Sequence, residues 1–215
     1  MKTGQIHSTA MTINREVNLV QLLPVIGLLL TTFFSQSLGA ADADSKGDLM
    51  LTDFTADSPD LGWYVQNDNV MGGRSEGGFE PGEGELIFTG STNTNGGGFS
   101  SIRTQPFKLD LSSHDGIRLS VKGDGRAYTW QLQTNALFRG ERVSYWADFE
   151  TRAGEWITVD IPFSRFFPQF RGFKLDGPEL DTSQIAEFGL YIYDKKDGPF
   201  ELHLASVDAY SAEAP

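Results

Sequence analysis

One short motif in this chain has the spacing of a catalytic nucleophile. Residues 73–77 (GRSEG) match the pattern G-x-S-x-G, which in hydrolases holds a serine on a sharp turn between a strand and a helix. The sequence that follows, GFEPGEG, cannot begin a helix, so we expect Ser75 not to act as a nucleophile. After residue 41, only His114 and His203 could serve as its base. We therefore predict that the chain has no catalytic residues and is not an enzyme.

The motif lies in the first of two glycine-rich segments, residues 67–78 and 95–104. Ten of the 24 glycines fall between Gly72 and Gly98. Clustered glycine indicates a backbone with φ > 0, or a backbone that another group approaches closely. We predict that the two segments form one glycine-rich rim with a binding role. The polar side chains that could bind a ligand or brace this rim are Asp68, Asn69, Arg74, Ser75, Asn95, Ser100 and Arg103.

The two arginines of the rim have two interpretations. A guanidinium can bind a carboxylate through two parallel hydrogen bonds. In the first interpretation, Arg74 or Arg103 pairs with Asp68 and ties the two segments together. We favour it because loops with this much glycine need bracing to offset their conformational entropy. In the second interpretation, the arginines receive an acidic group of a partner.

Other residues with suitable chemistry do not form a recognisable site. Residues 42–53 (DADSKGDLMLTD) imitate a calcium-binding loop, but Lys46 occupies a ligand position and no helices flank it. Asp148, Glu150 and Asp160 form a generic acidic sheet face, whereas a glycosidase needs two carboxyl groups about 5–10 Å apart. Phosphate loops, dinucleotide fingerprints and metal-binding histidine spacing are missing. We predict no cofactor and no metal site at these residues; a structural calcium ion elsewhere, which the sequence does not locate, is the alternative.

The elements that must position these residues are β-strands. Apolar and polar residues alternate with a period of two after residue 48, and helical periodicity is almost absent. Glycine turns separate the apolar segments, and SRFF at 164–167 could form one helical turn. Ten short strands joined in this way predict an all-β, single-domain β-sandwich or jelly roll. The candidate strands are 49–54, 75–79, 85–89, 99–103, 116–122, 127–134, 143–150, 156–163, 187–194 and 200–209.

The same alternation separates a core face from an outer face. We expect the apolar phase to form the core. The opposite phase mixes aromatic rings with amides and carboxylates, as a platform for a sugar or a peptide would require. The alternative is that these rings pack under loops or N-terminal segments, because large aromatic side chains are highly buried on average. The candidate binding residues of this outer face are Gln131, Trp146, Trp156, Tyr191 and Tyr193.

The N-terminal segment has the three-part pattern of a secretory signal peptide. Lys2 and Arg15 precede an apolar run at 19–34, which small residues follow. A membrane span needs about 20 apolar residues, so we expect no transmembrane span after cleavage; an uncleaved anchor is the alternative. We predict export to the periplasm or the medium. The predicted divisions are a signal peptide at 1–41, a polar mature N-terminus at 42–48 and a sandwich domain at 49–211.

Composition excludes several classes of protein. The chain has no cysteine, so it has no disulfide and no thiolate metal site. Its net charge of −12 repels phosphate backbones, so we expect no nucleic-acid partner. A protein partner or a glycan remains.

Segments spread over roughly residues 50–210 resemble the complex I intermediate-associated protein 30 family. They follow the family's order and spacing. The resemblance implies a galactose-binding-like β-sandwich, a non-enzymatic role and, in mitochondria, assistance in the assembly of respiratory complex I. The segments are Trp63, NDNVMGGRSEGG at 67–78, NGGGFSSIRT at 95–104, DGIRLSVKGDGRAY at 115–128, VSYWADFET at 143–151, EWITVDIPFSRFFPQFRG at 155–172 and KDGPFELHLASVDAY at 196–210.

Two functional hypotheses follow. In the first, the domain is a binding or assembly module for a respiratory or envelope protein complex. In the second, it is an exported carbohydrate-binding module that uses the aromatic outer face. They differ in whether Trp146, Trp156, Tyr191 and Tyr193 are exposed together in one concavity.

Overall fold

The computed structural model describes residues 47–212 of the 215-residue chain. The predicted signal peptide and most of the polar segment 42–48 lie outside the described residues. Within residues 47–212, no helix is long and apolar enough to cross a membrane. The described residues form three short 3-10 turns, at Asp68–Met71, Phe163–Arg165 and Thr182–Gln184. Their strands are β1 (Leu49–Thr52), β2 (Tyr64–Val65), β3 (Glu76–Pro81), β4 (Leu86–Thr92), β5 (Ser100–Arg103), β6 (Gly116–Lys122), β7 (Ala127–Phe138), β8 (Glu141–Glu150), β9 (Trp156–Pro162), β10 (Phe167–Phe170), β11 (Phe173–Lys174), β12 (Glu187–Ile192) and β13 (Gly198–Tyr210).

The strands form two antiparallel sheets that pack as a β-sandwich, which confirms the predicted fold class. The six-stranded sheet has the order β3-β4-β13-β6-β9, and β1 pairs with the second half of β13. The seven-stranded sheet has the order β11-β10-β8-β7-β12-β5-β2. Strands β8 and β9 follow each other in the chain but belong to different sheets, so the chain crosses the sandwich between Glu150 and Trp156.

The core lies between the sheets and consists of the apolar phase that the alternation predicts. Trp130 and Leu132 on β7 face inward from one sheet, and Leu119 and Leu202 face inward from the other; all four are fully buried. Ile157 and Val159 on β9 also pack against the core, but they are only half-buried because β9 is an edge strand. With no disulfide in the chain, this buried apolar surface is the main stabilising term of the fold.

All ten predicted strands are present, and three further strands were not predicted. Strands β2 and β11 have two residues each, too few for alternation to mark them. Strand β10 contains Pro168 and begins at Phe167, where the sequence had suggested the end of a helical turn. The observed 3-10 turn ends at Arg165.

Two hairpins of the seven-stranded sheet have the same Phe-Arg-Gly turn. Strands β7 and β8 pair Phe138 with Glu141, and strands β10 and β11 pair Phe170 with Phe173. In both turns the central arginine and glycine have positive φ, at 53° and 82° in the first turn and 50° and 84° in the second. Two positive φ values define the type I′ turn, whose twist matches that of antiparallel strands. The turns lie side by side, since the rings of Phe138 and Phe170 are 5.8 Å apart.

Candidate binding site

Asp68 is fully buried, and its carboxylate joins the two glycine-rich segments. In its own segment it accepts hydrogen bonds from the backbone N–H of Ser75 at 2.9 Å and from the Ser75 hydroxyl at 2.6 Å. From the second segment it accepts hydrogen bonds from the backbone N–H groups of Gly98 at 2.6 Å and Phe99 at 3.3 Å. We call this arrangement of Asp68, Ser75, Gly98 and Phe99 the Asp68 junction.

The glycines of both segments are explained by how closely the backbone approaches this carboxylate. A Cβ at Gly73 would lie 2.2 Å from the Asp68 Cγ, and a Cβ at Gly97 would lie 2.3 Å from the Asp68 Oδ2. Such distances are far inside van der Waals contact, so neither position can carry a side chain without rearrangement. Gly98 has a φ of +109°, which an L residue rarely adopts. The junction therefore requires glycine on both sides of Asp68.

The predicted arginine clamp is wrong, because the structure gives Asp68 other partners. Its carboxylate is bound by a serine hydroxyl and backbone N–H groups. Arg74 is exposed and forms no ion pair with any residue in the range 47–212, and Arg103 lies on the outer face of the seven-stranded sheet. Burial raises the pKa of Asp68, but the hydrogen bonds from Ser75 and the backbone outweigh burial and hold the pKa below its usual range.

The remaining rim residues divide between the junction and the solvent. The Ser100 hydroxyl donates to Asn67 Oδ1 at 2.6 Å, and Asn67 Nδ2 donates to the Gly77 carbonyl at 3.0 Å, so these residues also tie the segments together. Asn69 and Asn95 are exposed. Ser75 is 3% exposed, and its hydroxyl donates a hydrogen bond to Asp68. The hydroxyl is therefore inaccessible to a substrate.

A groove follows the outer face of the seven-stranded sheet. It consists of two adjoining cavities of about 370 Å³ and 290 Å³, which share Trp146, Gln169, Gly172 and Tyr193. We call it the aromatic groove. The segment held by Asp68 forms one wall, where Val70 and Met71 are 64% and 65% exposed. The β10–β11 turn, through Phe170, Arg171 and Gly172, also lines the larger cavity.

Four of the five aromatic side chains that line the larger cavity form one cluster. Trp146 lies 5.0 Å from Tyr191 and 5.8 Å from Tyr193 between ring centroids. Phe99, which follows Gly98 in the second glycine-rich segment, lies 6.1 Å from Tyr191 and 6.3 Å from Tyr193. The Asp68 junction therefore positions one ring of this cluster as well as the wall at Val70 and Met71.

Gln131 orients the aromatic residues from the floor of the groove. Its Oε1 accepts hydrogen bonds from the Tyr191 hydroxyl at 2.9 Å and from Trp146 Nε1 at 3.2 Å. Its Nε2 donates to Glu187 Oε1 at 3.3 Å, and both Gln131 and Glu187 are buried. Burial raises the pKa of Glu187, although Arg103 and Arg142 oppose the rise.

The guanidinium of Arg103 packs over the Tyr191 ring at 5.2 Å. Its Nε is buried and forms no hydrogen bond with any residue of the described range. Of the residues predicted for the rim, Arg103 is therefore the one that lines the aromatic groove.

Trp156 does not belong with the other outer-face residues. Gln131, Trp146 and Tyr191 lie on the seven-stranded sheet and Tyr193 directly follows its strand β12, whereas Trp156 lies on β9 of the six-stranded sheet. There it is 48% exposed and lies 6.2 Å from the His203 ring. The predicted grouping is wrong because the alternation of apolar and polar residues shows on which face of its strand a side chain lies, but not to which sheet the strand belongs.

Sequence reasoning missed Asn67, Val70, Met71, Phe99 and Glu187. Asn67 adjoins the predicted residue Asp68, but its role depends on its contacts with Gly77 and Ser100, and the role of Glu187 depends on Gln131 of the paired strand β7. Two exposed apolar residues inside a glycine-rich polar segment were a signal for the wall at Val70 and Met71. Among residues 47–212, no three histidine, aspartate or glutamate side chains form a group that could hold a metal ion.

Comparison with protein-family models gives a match to complex I intermediate-associated protein 30 over residues 52–204. An uncharacterized Schizosaccharomyces pombe protein is 31% identical over 179 residues, 71% of this chain and 82% of its own. The mouse mitochondrial complex I intermediate-associated protein 30 is 33% identical over 109 residues, and its Drosophila melanogaster counterpart is 32% identical over 124. These matches cover 49% and 50% of this chain but only 33% and 40% of the two relatives.

Solved structures with a similar fold include carbohydrate-binding modules. A family 11 module of the Clostridium thermocellum cellulase Lic26A-Cel5E has a TM-score of 0.59 at 18% identity, covering 77% of this chain and 95% of the module. A family 30 module has a TM-score of 0.52 at 15% identity, covering 76% of this chain and 99% of the module. At these identities the likeness concerns the fold alone.

The predicted export is wrong. The mouse and Drosophila relatives are named as mitochondrial proteins, which conflicts with a periplasmic or secreted location. The prediction rested on an apolar run between basic and small residues. That pattern records hydrophobicity and residue size, and neither property alone specifies a compartment.

Proposed function

The chain belongs to the complex I intermediate-associated protein 30 family, and we propose that it is a non-catalytic binding module that assists the assembly of a respiratory complex. In this proposal it holds an exposed segment of a partner protein in the aromatic groove. The observation that carries the proposal is the groove itself, which combines a fixed aromatic cluster with an exposed apolar wall.

The exposed apolar wall favours a protein as the partner. Val70 and Met71 are among the most exposed large apolar side chains of residues 47–212, and exposed apolar surface beside a cavity is typical of interaction sites. The wall rests on the Asp68 junction, so it is presented in a fixed position. A pre-positioned surface loses less entropy when a partner binds.

The absence of catalysis is supported by the position of Ser75. Its hydroxyl is buried and donates to Asp68, so the serine of the GRSEG motif stabilises the rim. His203 lies on the six-stranded sheet between Glu85 and Glu201, 3.1 Å from each, and is therefore engaged elsewhere.

The test is complementation in the organism that encodes the chain. We expect deletion of the gene to lower the amount of assembled complex I on native gels, and the wild-type gene to restore it. A variant with Val70→Asp and Met71→Asp should not restore it, because charges on the wall oppose apolar contact. The matched control is Leu49→Asp with Met50→Asp, an exposed apolar pair on β1 of the other sheet. Unchanged complex I after deletion would refute the assembly role, and rescue by the groove variant would refute the use of the groove.

A second candidate function is glycan binding, which the carbohydrate-binding modules of similar fold and the half-exposed Trp146 favour. Affinity electrophoresis in gels containing mixed-linked β-glucan tests it. Retardation that Trp146→Ala abolishes and Trp156→Ala leaves intact would support a glycan in the groove. Equal mobility with and without the polysaccharide would rule out this ligand.

A further inference from the structure

The larger cavity of the aromatic groove is basic although the whole chain is acidic. Arg103, Arg142 and Arg171 line it together with a single carboxylate, Glu141. The chain as a whole has a net charge of −12. By contrast, Asp148, Glu150 and Asp194 line the smaller cavity with Lys174. The groove therefore has a basic end and an acidic end.

The two Phe-Arg-Gly turns bring two of the three arginines to the basic end, Arg171 from within the second turn and Arg142 from just after the first. Each turn directs an arginine over its own phenylalanine ring, Arg139 over Phe138 and Arg171 over Phe170, each at 5.1 Å. Arg171 lies 3.7 Å from the Glu141 carboxylate, and both side chains are exposed, so this ion pair is weak. Arg142 follows the first turn and is also exposed.

Arg103 adds a less solvated cation beneath these two. Its guanidinium packs over Tyr191, and its buried Nε has no partner among residues 47–212. A buried donor without an acceptor is costly, and the Arg103 side chain, which lines the cavity and is only partly buried, has further guanidinium donors to offer a ligand. The carboxylate of Glu187 interacts with Arg103 through charge, and it accepts its hydrogen bond from Gln131 Nε2 at 3.3 Å.

From these charges and contacts, and resting on the proposed function, we infer that the basic end of the groove binds a carboxylate side chain of the partner segment. The segment that fits is acidic and apolar: an aspartate or glutamate placed against Arg103, Arg142 and Arg171, with neighbouring apolar side chains against Val70 and Met71. The apolar wall favours a peptide, because apolar side chains of a peptide can pack against Val70 and Met71, whereas the hydroxyl groups of an acidic polysaccharide would find no hydrogen-bond partner on these two side chains.

The experiment selects random dodecapeptides displayed on phage against the full chain, followed by fluorescence anisotropy with the enriched peptides. We expect enrichment of aspartate or glutamate next to leucine, valine or phenylalanine. The double charge reversal Arg142→Glu with Arg171→Glu should lower the affinity for these peptides by about tenfold or more, because exposed arginines contribute to binding through their charge rather than through packing. Both residues are exposed, so this variant should fold. Arg152→Glu, an exposed arginine outside the groove, is the control and should change binding less than about twofold.

The outcomes separate the inference from the function on which it rests. Enriched peptides that are neutral or basic, yet lose binding in the Val70→Asp and Met71→Asp variant, would overturn the acidic partner and leave the groove as a peptide site. If no enriched peptide depends on that wall, the proposed function fails as well. Polygalacturonate that displaces the peptides and binds on its own with equal strength would overturn the choice of a protein partner.

Discussion

The Asp68 junction and the floor of the aromatic groove each contain a buried carboxylate, and their surroundings shift the pKa values of the two carboxylates in opposite directions. Asp68 accepts hydrogen bonds from Ser75, Gly98 and Phe99, and its pKa is lowered. Glu187 has the amide of Gln131 as its hydrogen-bond donor, and its pKa is raised by burial. The junction is satisfied by its own chain, whereas the groove floor keeps unmet hydrogen-bonding capacity, including Arg103 Nε.

This difference distinguishes a structural polar cluster from a candidate binding surface. A buried polar group whose partners all come from the same chain stabilises the fold, and a ligand would have nothing to add. Groups left incompletely paired at the base of an accessible cavity can gain from a ligand. The glycine-rich rim, which has the most conspicuous sequence pattern, therefore has a structural role. It positions Val70 and Met71, which form one wall of the aromatic groove.

The largest expected effect comes from removing the junction carboxylate. We expect Asp68→Ala to lower the free energy of unfolding by about 4 kcal/mol, because four donors lose their acceptor and each buried donor left unpaired costs about 1–3 kcal/mol. For a domain of this size the melting temperature would fall by about 10 °C, measurable by calorimetry. Asn95→Ala, an exposed residue of the same rim, is the control. Equal melting temperatures for the two variants would contradict the structural role of the junction.

A smaller loss is expected from adding one methyl group beside the same carboxylate. Gly97→Ala places a Cβ 2.3 Å from Asp68 Oδ2, so the loop must move. Overpacking of this kind costs about 2 kcal/mol, or about 6 °C in melting temperature. Gly78→Ala is the matched control, since nothing lies within 4 Å of a Cβ there. A Gly97→Ala protein as stable as Gly78→Ala would show that the junction is looser than described.

Lowering the pH should remove the stabilisation that the ionised Asp68 gives to the fold. Because the pKa of Asp68 is lowered in the folded chain, its stabilisation is present above the ordinary aspartate pKa and is lost as the pH falls through the folded value. The difference in melting temperature between wild type and Asp68→Asn should therefore be constant near neutrality and shrink below about pH 4. A difference that stays constant down to pH 2 would argue against an ionised Asp68 in the fold.

The smallest expected effect has the opposite sign and concerns the groove floor. The raised pKa of Glu187 means that its stabilisation is present below the ordinary glutamate pKa and is lost as the pH rises through the folded value. Glu187→Gln should therefore raise the melting temperature at pH 7 by about 2 °C. Below about pH 4 the two proteins should melt together. Destabilisation at pH 7 would mean that ionised Glu187 is needed to pair with Arg103.

Local pattern was enough to predict the sandwich, ten of its strands and the inward phase of six of them. Alternation of apolar residues such as Ile117, Leu119 and Val121 records which side of a strand is buried, and this follows from the strand's own geometry. The glycine-rich segments also indicated a place of close backbone approach. Neither signal named the group that is approached, since Asp68 meets Gly98 across 30 residues of sequence.

The tertiary structure decided what the sequence left open. Trp146 and Trp156 share the outward phase, yet the chain crosses between sheets after Glu150, and the two rings belong to different sheets. Arg103 was expected at the rim and lies over Tyr191, because β5 pairs with β12. The period of two fixes a side chain's face within its own strand. Which strands become neighbours depends on pairing between distant segments, and that pairing determines which faces together form a groove.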